Sequence, residues 1–379
     1  MGKLNNILFF IAIGVLFIPL VFQYSATNET LQPLNGVFEK TDTLQFSISC
    51  WKNKNWQKNR ELLIKNNLKI KPLIVRIGHE LDYRLFKEYH MADLLIGKDG
   101  YLFSKSWSNA RCCTNNLNKD SLDIFIKKLA TLSTLLEEKG KYFKFIIPPS
   151  KEELYAQKLP LMYSLENENS DYKILKKSLD KNEIAYWDLI SYYKALDDTA
   201  RFPIYSKTSA HWTTYGAHYA LLKLLNDMSV FFNGDMPNLE VKSFKKGKFK
   251  GGDGDHEQTL NLINRIDNKD FLYPTYKIDS SKKKTFKPKV ITIGDSFYWA
   301  LKSCWMLPHI YNKDSKYLYY FSTVYYNNDY TQSHSINALN IVEEIESCNA
   351  VVIINSAHNL NGFPYGLEKK IDELILALK

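Results

Sequence analysis

From Ser121 onward, short apolar runs rich in β-branched and aromatic residues alternate with segments whose apolar residues recur every three or four positions. Few folds accommodate that alternation. The runs Tyr142 to Ile147, Ile184 to Leu189, Val290 to Ile293, Tyr317 to Val324 and Ala350 to Ile354 predict strands. The segments Ser121 to Lys139, Asp171 to Asn182, Ala210 to Met228, Ile336 to Ser347 and Tyr365 to Lys379 predict helices. Strands separated by helices build βαβ units, so the expected fold class is α/β, with a mostly parallel sheet of about five strands covered on both faces. Parallel strands send their carboxyl ends to one edge, where such folds place their ligands. That edge collects Pro148-Pro149-Ser150-Lys151, Asp188, Ser296 and the run from Asn355 to Asn359.

Ahead of this region the chain is organised differently. Ile7 to Phe22 is an apolar run interrupted only by Gly14 and Pro19, short for a membrane span but extended by Leu4 and Tyr24. Residues 1–24 therefore read as a signal peptide or an uncleaved signal anchor, and the lack of a small-x-small cleavage site favours the anchor. Lys3 precedes the run, which places the rest of the chain outside the cytoplasm. Residues 25–120 are expected to hold a tether, a helical arm from Trp51 to Phe86 broken near Pro72, and a hairpin at Leu94 to Phe103 turning on Gly-Lys-Asp-Gly. Residues 121–379 form the α/β domain, with a loop-rich insert at 231–289.

Composition excludes more than it selects. The net charge of +9 comes from lysines spread along the whole chain, and no nucleic-acid motif accompanies it. Aromatic residues make up 14%, which suits a core with an aromatic-lined cleft of the kind that receives sugars. The five cysteines, Cys50, Cys112, Cys113, Cys304 and Cys348, lack metal-type spacing and imply neither a zinc site nor a disulfide framework. The stretch Gly251 to Glu257 alternates oxygen ligands but lacks a calcium-loop pattern, so a turn-rich surface loop is the expectation there.

Two stretches carry chemistry. In Lys289 to Trp299 an apolar strand is stopped by Gly294-Asp295-Ser296 before a helix, which makes Ser296 a candidate nucleophile; an ordinary turn or N-cap is the other reading. In Tyr205 to Ala217, Thr208 or Ser209 is expected to cap a helix from Ala210, putting His211 in its first turn. Imidazole is the usual base for a serine because it takes and returns a proton near neutral pH. His358, at the exit of the last strand, is an alternative base.

Pro-Pro-Ser-Lys after one strand, a His-Trp pair opening a helix, and Gly-Asp-Ser-Phe after a later strand together resemble the SGNH-hydrolase-like alginate O-acetyltransferase family. The histidine block precedes the serine block, the reverse of ordinary SGNH esterases. The resemblance extends over roughly residues 45 to 370 and takes in Gly97 to Phe103 and Lys151 to Tyr155. It implies a three-layer SGNH-like domain, Ser296 as nucleophile, His211 as base and then acid, and transfer of acetyl through an acyl-serine to a polysaccharide. It also implies an inner-membrane protein facing the periplasm or exterior, with acetyl supplied by an integral membrane O-acyltransferase, and neither cofactor nor metal. The Ser296 amide, Asn355 and Asn359 are the expected oxyanion donors.

One position departs from the family pattern. Ser209 stands where the family carries Asp, two residues before the histidine. Either another carboxylate orients His211, with Asp188, Asp253 and Asp255 as candidates and Asp295 a poor fourth, or the site runs on a Ser-His dyad, or it is catalytically impaired and the protein binds glycan or scaffolds an assembly. A plain SGNH-type carbohydrate esterase is the remaining reading.

Overall fold

The computed structural model describes residues 2–25, 33–36, 45–89, 93–112, 118–197, 200, 202–266, 270–279, 286–304, 307–326, 330, 333–360 and 362–379. Most of the expected tether, and Cys113, lie outside them. The chain divides into two compact units, one of residues 1–92 with 257–266 and one of residues 93–256 with 267–379.

The first unit opens with an apolar helix, Gly2–Ser25, of which Asn5–Ser25 is long and apolar enough to cross a membrane. Its arm comprises Ile48–Lys52, Asn55–Asn67 and Lys71–Leu81, followed by one wide turn at Asp82–Phe86. Pro72 sits in the first turn of the third helix, where its missing N–H costs nothing.

The second unit is a three-layer α/β domain. Its strands in chain order are β1 (Leu94–Ile96), β2 (Leu102–Ser104), β3 (Tyr142–Ile147), β4 (Tyr186–Asp188), β5 (Asn238–Gly247), β6 (Phe271–Asp279), β7 (Val290–Gly294), β8 (Lys316–Tyr319), β9 (Thr323–Tyr326), β10 (Ser333–Ser335) and β11 (Ala350–Ile354). The central sheet runs β10-β9-β8-β7-β11-β3-β4. The five strands β8, β7, β11, β3 and β4 pair in parallel, and β9 and β10 extend one edge in antiparallel fashion.

Period-two alternation explains the layers. Along β7 and β11, Val290, Val352 and Ile354 join one core with Trp212, Leu221, Leu224 and Phe297. Ile291, Ile293, Val351 and Ile353 join the other, with Leu129, Leu136, Leu175 and Leu374 from flanking helices. From β3 the chain steps outward to β4, whereas from β7 it steps the opposite way to β8, with β11 between. Loops leaving β3 and β7 therefore diverge and open a crevice above β11.

Several expectations change. The single strand expected over Tyr317 to Val324 is two, reversed at Tyr320 and Phe321, whose φ angles are +47° and +44°. Aromatic continuity across a tight turn imitates one strand. The stretch 231–289, read as loop-rich, holds the β5–β6 ribbon; its exposed, lysine-bearing strand lacks the apolar alternation that announces a strand. The helix after His211 begins at Thr214, capped by Thr213, whose hydroxyl accepts from the Gly216 N–H at 3.0 Å. His211 thus lies in the loop ahead of the helix, because Thr213 rather than Thr208 or Ser209 provides the cap. The last helix is confined to Ile371–Leu378.

Gly294 ends β7 where a Cβ would sit 2.3 Å from the Ile354 carbonyl oxygen of β11. Only glycine permits that approach. Gly294→Ala is expected to lower unfolding free energy by about 1–3 kcal/mol through forced displacement of the strand, read as a lower urea midpoint with an unchanged slope.

Candidate active site

Ser296 follows β7 at the crevice, and the turn that presents it is braced from several sides. Asp295 is fully buried; its carboxylate accepts from the Phe297 N–H at 3.1 Å, the Ser356 N–H at 2.7 Å and the Ser356 hydroxyl. The Tyr317 hydroxyl donates to the Asp295 carbonyl at 2.5 Å. Burial raises the Asp295 carboxyl, and the Ser356 and Phe297 donors oppose that rise. Asp295 therefore holds the turn, with its carboxylate bonded to Phe297 and Ser356 and not to the histidine.

His211 reaches the same point from the loop before the Thr214–Phe231 helix. Its Nε2 lies 2.7 Å from the Ser296 Oγ, although 85 positions separate the two residues. Registry comes from the next residues along: the Trp212 indole N–H donates to the Phe297 carbonyl at 3.1 Å. Trp107 and Phe297 wall the imidazole, with ring centroids 5.8 and 5.0 Å away.

The carboxylate behind the ring is Asp255. Its Oδ2 lies 2.5 Å from His211 Nδ1, and its Oδ1 accepts the Ala210 N–H at 2.6 Å and the His256 N–H at 3.0 Å. Asp255 arrives from the short turn Gly251–Gly254. That turn is fixed by Asp253, buried, which accepts from the Thr214 N–H at 2.9 Å and the Tyr273 hydroxyl at 2.6 Å. The stretch read as a turn-rich surface loop is thus largely interior. Burial works against charge on His211, but the hydrogen bond and charge of Asp255 outweigh it and hold its pKa above the ordinary 6.5. For Asp255 burial pushes upward, and the His211 bond and charge carry the net shift below 3.8.

The histidine loop is fastened from below by Lys151 of the Pro-Pro-Ser-Lys segment. Its fully buried ammonium donates to the carbonyls of Leu102, Lys207 and Ser209, each at 2.8 Å. Three acceptors match the three donors of an ammonium, while burial pushes its pKa down. Ser150 caps the following turn, accepting from the Glu153 N–H at 3.1 Å.

The other expected site residues are placed elsewhere or otherwise engaged. Asp188 receives the Tyr172 hydroxyl at 2.5 Å and Lys176 Nζ at 2.8 Å, away from His211. Ser209 is fully buried, and its hydroxyl has no hydrogen-bond partner among the described residues. Asn355 is buried with its amide spent on the Ser356 carbonyl and the Tyr365 hydroxyl, and Asn359 donates to the Tyr320 hydroxyl at 3.1 Å. The Ser296 amide N–H meets no acceptor among the described residues. His358 stacks on Trp107 with centroids 3.7 Å apart, and neither ring nitrogen has a partner among the described residues; burial, with His211 nearby, pushes its pKa well below 6.5.

A 220 Å³ cavity opens on this group, lined by His211, Asp255, Ser296, Trp212 and Trp299 among others. A larger cavity of 410 Å³ is lined by aromatic residues that include Tyr101, Phe202, Tyr205 and Tyr215, with Lys207 and Lys246. Residues 205–214 supply walls to both. Sequence reasoning had no signal for Trp107, and none that ranked Asp255 above the other acids.

The parallel α/β sheet thus carries a Ser-His-Asp chain of contacts at its carboxyl edge. Residues 94–260 match the family described as SGNH hydrolase-like domain, acetyltransferase AlgX, which bears out the resemblance read from the motifs. The matched segment contains His211 and Asp255 and ends before Ser296. Among solved structures, the O-acetyltransferase domain of Pseudomonas putida AlgJ aligns at 17% identity, covering 74% of this chain and 98% of that one, with a TM-score of 0.45. Pseudomonas aeruginosa AlgX aligns at 13% identity over 79% of this chain and 71% of its own, TM-score 0.48. Bacillus cereus PatB1 aligns at 13% over 70% and 96%, TM-score 0.41. No curated protein sequence matches the chain.

The two causes acting on His211 are separable. By NMR its imidazole is expected to titrate above 6.5 in the native protein and below it in Asp255→Asn, where burial remains and the charge is gone. An unchanged titration would mean that Asp255 is not the group holding the proton on the ring.

Proposed function

We propose that this protein is a membrane-anchored, externally facing O-acetyltransferase that carries acetyl on Ser296 and delivers it to hydroxyls of a polysaccharide. The observation that carries the reading is the continuous contact from Ser296 Oγ through the His211 ring to Asp255. The likeness of residues 94–260 to an acetyltransferase domain supports acetyl as the group being moved.

In this mechanism Ser296 Oγ attacks the carbonyl carbon of an acetyl donor while its proton passes to His211 Nε2. Asp255 keeps the other ring proton on Nδ1 and stabilises the imidazolium. Negative charge gathering on the carbonyl oxygen is received by the Ser296 amide N–H. His211 then protonates the departing group, leaving acetyl-serine. A sugar hydroxyl gives its proton to the same nitrogen and attacks the acetyl carbon, and Ser296 recovers its proton. The aromatic cavity beside residues 205–214 suits a chain of pyranose rings, whose C–H faces pack on aromatic side chains. The apolar span Asn5–Ser25, with Lys3 ahead of it, supports an anchor in the inner membrane with the rest of the protein in the periplasm or outside. An integral membrane O-acyltransferase supplying acetyl from within the bilayer fits that placement.

Hydrolysis uses the same residues with water in place of the sugar. The scaffold reading drew on Ser209, and the carboxylate missing there is supplied at position 255. On an activated acetyl ester, the native chain is expected to accumulate a covalent acetyl adduct that Ser296→Ala does not form. Adding oligosaccharide is then expected to move label onto sugar; recovery only as acetate would make the protein an esterase, and labelling of neither chain would leave a scaffold. Ser209→Asp is expected to leave the initial rate unchanged or reduce it, because His211 Nδ1 is already taken and the position is sealed from solvent. A higher rate in that variant would show Asp255 to be an inadequate substitute.

A further inference from the structure

The first unit carries an apolar face with no role in the chemistry above. The Lys71–Leu81 helix has one side occupied within its own unit: Glu80 accepts from the N–H groups of Ile263 and Asn264 at 3.1 and 3.2 Å, and His79 Nδ1 lies 2.7 Å from the Leu260 carbonyl oxygen. Among the described residues nothing covers the opposite side. Ile74, Ile77, Leu81 and Leu85 are 55%, 43%, 51% and 67% exposed, and their spacing of three, four and four residues lays them in one stripe. Phe86, 65% exposed, ends it.

The origin of this helix is tied to the apolar N-terminal one. Asn5–Ser25 contains 21 residues, a length of about 31 Å as a helix and so matched to the hydrocarbon core of a bilayer. Gln23, near its end, donates to the Asn67 carbonyl at 3.3 Å and accepts from the Lys69 N–H at 3.0 Å. The exposed stripe therefore begins at the level where the apolar helix would leave the membrane. Charge points the same way: Lys71 and Arg84 flank the stripe, and residues 45–89 contain ten Lys and Arg against four Asp and Glu. Arg84 and Lys87 also lie over the Tyr83 ring, an aromatic of the kind that settles at headgroup depth.

We propose that the Lys71–Leu81 helix and the turn after it lie in the headgroup layer of an anionic bilayer, apolar stripe inward, beside the exit of the N-terminal helix. The proposal rests on reading that helix as an anchor. An amphipathic segment with cationic flanks inserts in this way because apolar burial and attraction to anionic lipid act together. Docked so, the arm fixes the first unit at the membrane surface by a second contact beyond the span itself.

The test uses the full chain in bilayer nanodiscs of phosphatidylcholine and phosphatidylglycerol, with a fluorescent amino acid encoded at Ile77, at Leu85 or at Ile13. Nitroxide lipids labelled near the headgroup or deep in the acyl chain serve as quenchers. Labels at positions 77 and 85 are expected to be quenched at least about twofold more by the shallow nitroxide than by the deep one, and the label at 13 the reverse. Deep quenching at 13 with none at 77 and 85 would overturn the proposal while leaving the anchor intact, and would mean that a protein surface covers the stripe. No quenching at position 13 would remove the anchor and the proposal with it.

Discussion

A hydrogen bond between the Trp212 indole and the Phe297 carbonyl joins the residue after the histidine to the residue after the serine. Serine and histidine come from loops on different βαβ units, and proton transfer tolerates errors of only a few tenths of an ångström in their separation. The bond is buried, so it converts the packing of Trp212 against Phe297 into a fixed distance between Ser296 and His211. The rest of the crevice refines this alignment. Asp295 and Tyr317 hold the serine turn from the sheet side, and Lys151 holds the histidine loop at three carbonyls.

The carboxylate belongs to the same logic. Where the family pattern supplies Asp two residues before the histidine, this chain buries a serine and brings Asp255 from a turn 44 positions further on. A local carboxylate is positioned by its own loop. A remote one needs a turn held in place, and Asp253 does that by receiving the first helical N–H at Thr214 and the hydroxyl of Tyr273. The β5–β6 ribbon thereby becomes part of the site's support, since Tyr273 belongs to β6.

Much of the fold was legible because burial on both faces of a parallel sheet writes continuous apolar runs into the sequence. Val290 to Ile293 and Ala350 to Ile354 could scarcely be anything else. Ser296 and His211 were legible for a related reason: each stands beside a punctuation mark, the Gly-Asp-Ser stop and the Ser/Thr-rich helix approach. Asp255 carries no such mark. It lies among glycines and acids that read equally well as solvated turn, and nothing local distinguishes it from Asp253 or Asp188. The β5–β6 ribbon was hidden by its lysines, and the true helix start by the surplus of hydroxyl residues able to cap.

The sequence by itself determined the α/β class and singled out Ser296 and His211, because period and turn residues are properties of neighbours along the chain. Only the tertiary structure decided which acid stands behind the imidazole, that Lys151 fastens the histidine loop, and that the expected oxyanion amides of Asn355 and Asn359 are spent on internal bonds. Those outcomes depend on which loops meet across the crevice. The loops meet where sheet order and buried contacts bring them, and neither is written in local pattern.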